Sequence, residues 1–280
     1  MRIPDVSIPA AELSRRRQAF RELHQAGCFV MPNPWDIGSA RLLAQMGFPA
    51  LATTSAGFAW TMGRPDNGVT LDQVLAHLGA IASSVEVPVN ADFEAGFAVE
   101  PDVVAGNVAL AVATGVSGLS IEDSTGDPGN PLFAFDLAVS RVRAASEAIA
   151  WSGSSVLLTG RSEGFIVGRP DLGETIRRLT AYAEAGADCL YAPGVQQPAD
   201  IAAIVAAVAP KPVNVLVGSD TTTVAALAAL GVRRISVGGA LARVAWAAVA
   251  DAAAAMAAGS FSGLAGAVPF AGINDRFRPR

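Results

Sequence analysis

The acidic residues Asp92, Glu94 and Glu122 lie at or just past the ends of short apolar runs, in the phrases PVNADFEAGF and GLSIEDS. Arg161 and Glu163 stand the same way in GRSEGF. Carboxylates gathered at one place repel one another unless a cation sits among them. His24 and His77 are the only histidines, so the donors on offer are hard oxygens, which suit Mg²⁺ or Mn²⁺ better than Zn²⁺. The planar fork of Arg161 suits a carboxylate or phosphonate. Metal and arginine together form a clamp for a 2-oxo acid: the metal takes the carboxylate and carbonyl oxygens, and the arginine holds a charged end. Singly, Asp92 or Glu122 also fits a salt bridge or helix cap, and Arg161 and Glu163 fit a mutual pair. Asp66, between Pro65 and Asn67-Gly68, fits a turn. The joint pattern carries the metal reading.

Such a cluster needs elements that bring distant strand ends together. Apolar runs at 28–31, 50–53, 87–91, 118–121, 156–160, 189–191, 213–217 and 235–237 alternate with helical stretches. Those stretches are 37–46, 70–83, 103–113, 137–150, 173–184, 199–207 and 221–230, preceded by a helix at 10–26 and followed by one at 240–258. Repeated β-α units mean a parallel sheet. Gly47, Gly115, Gly186 and Gly231 each fall between a helix and the next strand, where a left-handed cap is wanted. Eight strands in 280 residues predict one domain, a (β/α)8 TIM-type barrel spanning 1–280, with residues 1–26 as an N-terminal helical segment and 240–280 as a C-terminal helix and tail. In such a barrel chemistry sits at the C-terminal strand ends. Asn33, Trp35 and Asp36 follow strand one, Thr54, Ser55 and Asp66 follow strand two, Tyr191 ends strand six, and Asn214 lies in strand seven. After strand one the chain reads NPWDIGSA, without the dinucleotide fingerprint.

Composition narrows the function. The net charge is −5 and no basic run carries interleaved aromatics, which speaks against a nucleic-acid partner. Cys28 and Cys189 sit in apolar stretches and read as buried, inert thiols. The N-terminus shows no long apolar core of a secretory signal. The Ala-rich stretch 240–259 carries Arg243 and Asp251 and reads as a packed helix rather than a membrane span. A cytoplasmic location is expected.

These residues resemble the isocitrate lyase/phosphoenolpyruvate mutase superfamily, in its short, phosphonomutase-like branch, over about residues 17–258. MPNPWDIGSARLLAQMGFPAL is similar to the family's first β-α unit. TTSAGFAWTMGRPD is similar to its second-strand loop, which implies that Thr54, Ser55 and Ala56 bind the substrate carboxylate and that Asp66 is the aspartate closing the loop. PVNADFEAGF resembles the metal-binding strand, giving Asp92 and Glu94, the latter in place of a more usual aspartate; GLSIEDS gives Glu122 as the metal's outer shell. GRSEGF resembles the strand whose arginine grips the substrate, giving Arg161. The resemblance also implies a last helix swapped between subunits, in homodimers or homotetramers.

Departures from the family bear on activity. The Lys-Lys-Cys-Gly-His loop of the isocitrate and methylisocitrate lyases is absent. The gating loop of the mutases contains lysine, whereas here it reads STGDPGNPLF, with Asn130 filling part of its polar role over the substrate. This Gly/Pro-rich stretch reads as a lid. The expected activity is a Mg²⁺-dependent lyase or decarboxylase that cleaves a C–C bond of a small 2-oxo or 2-hydroxy acid through a metal-stabilised pyruvate-like enolate. Arg161 positions the substrate, Asp66 and Glu163 are the candidate acid/base residues, and Asn214 is a further substrate-binding candidate. Alternatives are a C–P hydrolase or mutase acting on phosphonopyruvate, and a non-catalytic 2-oxo acid-binding barrel. A phosphate-binding barrel using Gly238 and Gly239 after strand eight is a fourth reading.

Overall fold

The computed structural model describes residues 8–278. Eight parallel strands form the sheet: β1 (Phe29–Met31), β2 (Leu51–Ala52), β3 (Val89–Asp92), β4 (Gly118–Glu122), β5 (Leu157–Arg161), β6 (Cys189–Tyr191), β7 (Val213–Leu216) and β8 (Arg234–Ser236). Their order, β1-β8-β7-β6-β5-β4-β3-β2, is that of a barrel. Between β1 and β2 the Ala52 amide donates to the Pro32 carbonyl at 3.1 Å. Asn33 reinforces this seam: its side-chain amide donates to the Thr53 carbonyl, and its Oδ1 accepts from the Val237 and Gly238 amides. The expected (β/α)8 architecture is present.

Helices follow the strands as the glycine punctuation predicted: α2 (Ile37–Gln45), α4 (Leu71–Ser84), α5 (Pro101–Ala113), α6 (Phe135–Trp151), α7 (Leu172–Glu184), α8 (Pro198–Val208), α9 (Val224–Ala229) and α10 (Ala240–Ala257). Gly47, Gly115, Gly186 and Gly231 all have φ between 87° and 106°, the left-handed region that only glycine enters without strain. Apolar side chains pointing out of the strands, Ala91, Leu119, Ile121, Leu158, Leu190, Val215 and Ile235, pack with the inward faces of the helices as one continuous core. The first helix, α1 (Ala10–Leu23), covers the N-terminal mouth. Phe20 fills its centre, Arg16 donates to the Ala82 carbonyl, Arg17 to those of Val112 and Val116, and Arg21 to those of Ser155 and Val156. The active end is therefore the opposite one.

Three elements depart from the sequence expectations. The loop after β2 contains a further helix, α3 (Ser55–Thr61), too short to show a period; Thr54 caps it by accepting from the Gly57 amide. A Cβ on Gly57 would lie 2.6 Å from Thr54 and 2.9 Å from Trp35, so glycine is what lets α3 approach the barrel. The C-terminal tail contains a 3-10 turn (Ser262–Leu264) and α11 (Phe270–Phe277). Finally, α10 packs little within its own chain: Val244, Trp246, Val249 and Met256 are exposed. Among the described residues it is the one helix long and apolar enough to cross a membrane. The expected positions 1–7 and 279–280 lie outside the described residues.

Candidate active site

Strand alternation turns Asn90 and Asp92 of β3, Ser120 of β4, Arg161 of β5, Tyr191 of β6, Asn214 of β7, and Arg234 and Ser236 of β8 toward a cavity of about 160 Å³ inside the C-terminal mouth. Thr54, Ser55, Ala56 and Asp66 complete its rim on the β2 side. The cavity is smaller than the roughly 300–1,000 Å³ of drug-sized ligand sites, so it suits a compact acid.

Arg161 is the centre of the charge cluster. Its Nη1 lies 3.1 Å from Asp92 Oδ1 and 3.2 Å from Glu122 Oε2, and its Nε donates to Glu163 Oε1. Burial opposes its charge, but Glu122, Glu163 and Asp92 outweigh that and hold its pKa well above the ordinary value. Burial pushes the carboxyls of Glu122 and Glu163 up against the pull of Arg161. Glu94, Glu122 and Glu163 stand behind the cavity wall, whereas Asp66, Asp92 and Arg161 face it. Asp92 also accepts from the Ser55 amide at 2.9 Å, so the first turn of α3 is tied to the metal-candidate strand. Burial and the neighbouring Asp92 charge raise Asp66.

Glu94 is strained and unpartnered as well as shifted. Its backbone has φ +48°, a conformation that costs a non-glycine residue about 1–3 kcal/mol and gathers at functional sites. Its side chain is buried and Oε1 has no partner among the described residues. Burial, then the charges of Asp92 and Asp66, push its carboxyl up to about 8. A hard cation is what this orphaned oxygen and its acidic neighbours lack. Among the described residues no three His, Cys, Asp or Glu side chains are gathered as a ready metal cage; the cation between Asp92 and Glu122 is Arg161. The donors present, the unpartnered Glu94 Oε1 with Asp92 and Glu122, are hard oxygens of the kind that would suit a Mg²⁺ keeping part of its water shell.

Supporting residues hold these groups. Arg141, buried on α6, donates to the carbonyls of Ala95, Ala98 and Val99 and pins the loop that carries Glu94. Asp123 accepts from Arg178 at 3.1 Å, from the Tyr182 hydroxyl at 2.7 Å and from the Glu163 amide at 2.7 Å, fixing the turn after β5. The Phe133 amide donates to the Asp123 carbonyl, so the same residue anchors the base of the 124–132 loop.

Two of the expected positions are used differently. Asn130 is exposed at the loop tip and lines a separate cleft of about 490 Å³ with Arg169 and Arg178, not the central cavity. Asn214 does face the cavity, but both ends of its amide are engaged: Oδ1 accepts from Arg234 and Nδ2 donates to Ser236. Gly238 and Gly239 line the same cavity, and the Trp60 indole packs against Gly239, 3.0 Å from where a Cβ would be. Cys28 and Cys189 are free thiols, and burial raises the pKa of both.

Ser236 and Arg234 were missed as cavity residues, whereas Tyr191 was marked as the polar end of strand six. The inward alternation of β8 would have marked both had its register been known.

The family model described as phosphoenolpyruvate phosphomutase matches residues 20–257. A lyase/mutase-like protein from Burkholderia cenocepacia J2315 superposes with a TM-score of 0.93 at 46% identity, covering 96% of this chain and 98% of that one. An uncharacterised protein of Mycobacterium tuberculosis strain H37Rv is 32% identical over 79% of this chain and 81% of its own length. An oxaloacetate decarboxylase of Paraburkholderia xenovorans LB400 is 30% identical over 68% of this chain and 65% of its own. The chain belongs to the phosphoenolpyruvate phosphomutase family, within the isocitrate lyase/phosphoenolpyruvate mutase superfamily of lyases and mutases.

Proposed function

We propose that this protein is a Mg²⁺-dependent lyase or decarboxylase that cleaves a carbon–carbon bond of a small 2-oxo or 2-hydroxy acid. The observation that carries the reading is the pairing of Asp92 with Arg161 on the wall of a 160 Å³ cavity, backed by the unpartnered carboxylate oxygen of Glu94. The similarity to an oxaloacetate decarboxylase supports it. Asp92, with Glu94 and Glu122 behind it, would hold Mg²⁺, with Mn²⁺ as a substitute. When bound, the ion supplies positive charge at the 2-oxo oxygen, where an enolate develops on C–C cleavage.

The chain's own residues do the rest. Thr54, Ser55 and Ala56 line the rim and would meet the substrate carboxylate, the Ser55 amide itself being engaged by Asp92. Arg161 keeps its charge at every working pH and orients the acid against Asp92. Asp66, raised by its surroundings, is suited to proton exchange at the rim. Glu163, locked to Arg161, orients it and is a poorer base than sequence alone made it. Exposed Val244, Trp246, Val249, Phe261 and Phe270 support assembly of this chain into homodimers or homotetramers through the α10 region. The two free thiols agree with a cytoplasmic location.

The test is pyruvate release from oxaloacetate, phosphonopyruvate, methylisocitrate and branched 2-hydroxy diacids, with Mg²⁺ or EDTA, by wild type and Asp92→Ala. Release from a carbon acid that requires both Mg²⁺ and Asp92 supports the reading. Release from phosphonopyruvate alone would replace it with C–P cleavage, and release in EDTA would remove the metal from it.

A further inference from the structure

We propose that the floor of the central cavity is a carboxylate-binding subsite built on Arg234, distinct from the acidic mouth that carries the metal candidates. Arg234 is 2% exposed and lines the cavity wall. On β8 it stands two residues before Ser236, as Asn90 stands two before Asp92 on β3 and Asn214 two before Leu216 on β7. Arg234, Asn90 and Asn214 therefore belong to the next inward-facing layer below the mouth. The two carboxylates on the wall, Asp66 and Asp92, lie at the mouth itself.

The charge of Arg234 has no counter-charge. Its Nε donates to Asn214 Oδ1 at 2.9 Å and its Nη2 to Thr159 Oγ1 at 3.0 Å, and its Nη1 lies 3.3 Å from Nε2 of His24. All three acceptors are neutral. His24, at the end of α1, has Nδ1 2.7 Å from the Phe20 carbonyl, so Nδ1 carries the proton and Nε2 accepts from Arg234. Burial and the charge of Arg234 keep His24 neutral, its pKa lowered to about 3. Asn214 is fixed with its oxygen toward Arg234, because its Nδ2 donates to Ser236 Oγ at 2.9 Å. Arg161, the other guanidinium on the wall, is by contrast shared among Asp92, Glu122 and Glu163.

A guanidinium carries five N–H groups and keeps its proton. Three of those of Arg234 are used, which leaves one on Nη1 and one on Nη2 without an acceptor among the described residues. A buried charge with unspent donors is costly, and neutral partners hold the fork in place without cancelling it. An anion on the floor does both. One positive charge among neutral amides and hydroxyls matches a singly charged, planar carboxylate better than a doubly charged phosphate. The volume of about 160 Å³ admits only a short acid. A diacid with one carboxylate on Arg234 has its other end at the mouth, beside Asp92 and Arg161. An acid with an apolar tail leaves Arg234 uncompensated, so Arg234 selects for a charged tail. That use of the subsite rests on the lyase reading above, whereas the subsite itself does not.

The test uses carboxylates alone. Thermal stabilisation by acetate, malonate and the neutral malonamide is titrated in EDTA, in chloride-free buffer at constant ionic strength. Wild type is compared with Arg234→Gln and Asn214→Asp. Malonate should stabilise wild type in a saturable way, and malonamide should not. The malonate midpoint should rise about tenfold or more in Arg234→Gln, as loss of a charged hydrogen-bond partner does. Asn214→Asp, of nearly the same size, sets a carboxylate against the guanidinium in place of an amide. It should raise the midpoint similarly, and it carries the test if Arg234→Gln does not fold. Tighter binding of malonate than of acetate would support the floor as the place of a diacid's second carboxylate; equal binding would support it as the place of a free one. No saturable stabilisation of wild type by either acid would overturn the subsite. So would equal stabilisation by malonamide, or an unchanged midpoint in whichever variants fold. Neither metal nor turnover enters, so a wild type that releases no pyruvate from any acid strikes the lyase reading and leaves this result standing.

Discussion

Replacing Glu94 with glutamine should make the metal-free protein more stable, and increasingly so as pH rises. Glutamine copies the neutral form of a carboxyl that is buried and has an unpartnered oxygen. The folded-state pKa is raised from 4.5 to about 8, so the contribution of Glu94 is fully present below 4.5 and is lost as pH rises through 8. At 1.36 kcal/mol per pH unit the whole effect is about 5 kcal/mol, of which about 4 kcal/mol falls between pH 5 and pH 9. With an unfolding entropy of about 2.1 cal/mol/K per residue, that difference corresponds to roughly 7 °C in Tm for a chain of this size. Thermal unfolding of wild type and Glu94→Gln in EDTA across that range reads it directly. The two proteins should melt together near pH 5 and diverge above pH 6, wild type being the lower. Saturating Mg²⁺ should raise the wild type at pH 8 and close the gap. A gap independent of pH, or one that grows toward acid, would refute the claim that Glu94 is an unsatisfied buried carboxylate.

Arg161→Gln removes the one cation seated among Asp92, Glu122 and Glu163, and should lower kcat/KM by about 10²–10³ in steady-state assays while weakening oxalate binding. Arg141→Met strips the donor from three loop carbonyls and should cost about 2–4 kcal/mol in urea unfolding, with faster amide exchange confined to the loop around Glu94. Asp123→Asn leaves the buried Arg178 with only the more exposed Glu174 as counter-charge and should cost about 1–3 kcal/mol by the same measurement.

The eight strands were legible because their signals are local: a short apolar run, and a glycine where the preceding helix must turn. The carboxylates at the strand ends were legible for the same reason, since a barrel puts those ends at one mouth. What sequence spacing does not carry is register and reach. Whether Arg161 would meet Glu163 alone, or Asp92 and Glu122 as well, depends on how β3, β4 and β5 are staggered. The chain from Arg234 through Asn214 to Ser236 joins residues on two strands whose pairing is invisible in sequence. Arg141 acts forty-odd positions from the loop it holds, and nothing beside it in the chain announces that. Asn130 was read into the site by analogy, whereas the turn made by Thr125, Asp127 and Asn130 directs the loop tip to solvent. The apolar face of α10 was expected to be covered, and within one chain it is not.

Cation binding at Asp92 is the property on which the remaining assignments depend. Calorimetric titration of Mg²⁺ into the protein, with oxalate present as a planar mimic of a 2-oxo acid enolate, should show one ion bound per chain, binding that is abolished in Asp92→Ala and weakened in Glu94→Gln. Wild type that takes up no Mg²⁺ with oxalate present, or an Asp92→Ala variant that binds it as well as wild type, would contradict the assignment of these carboxylates to a metal.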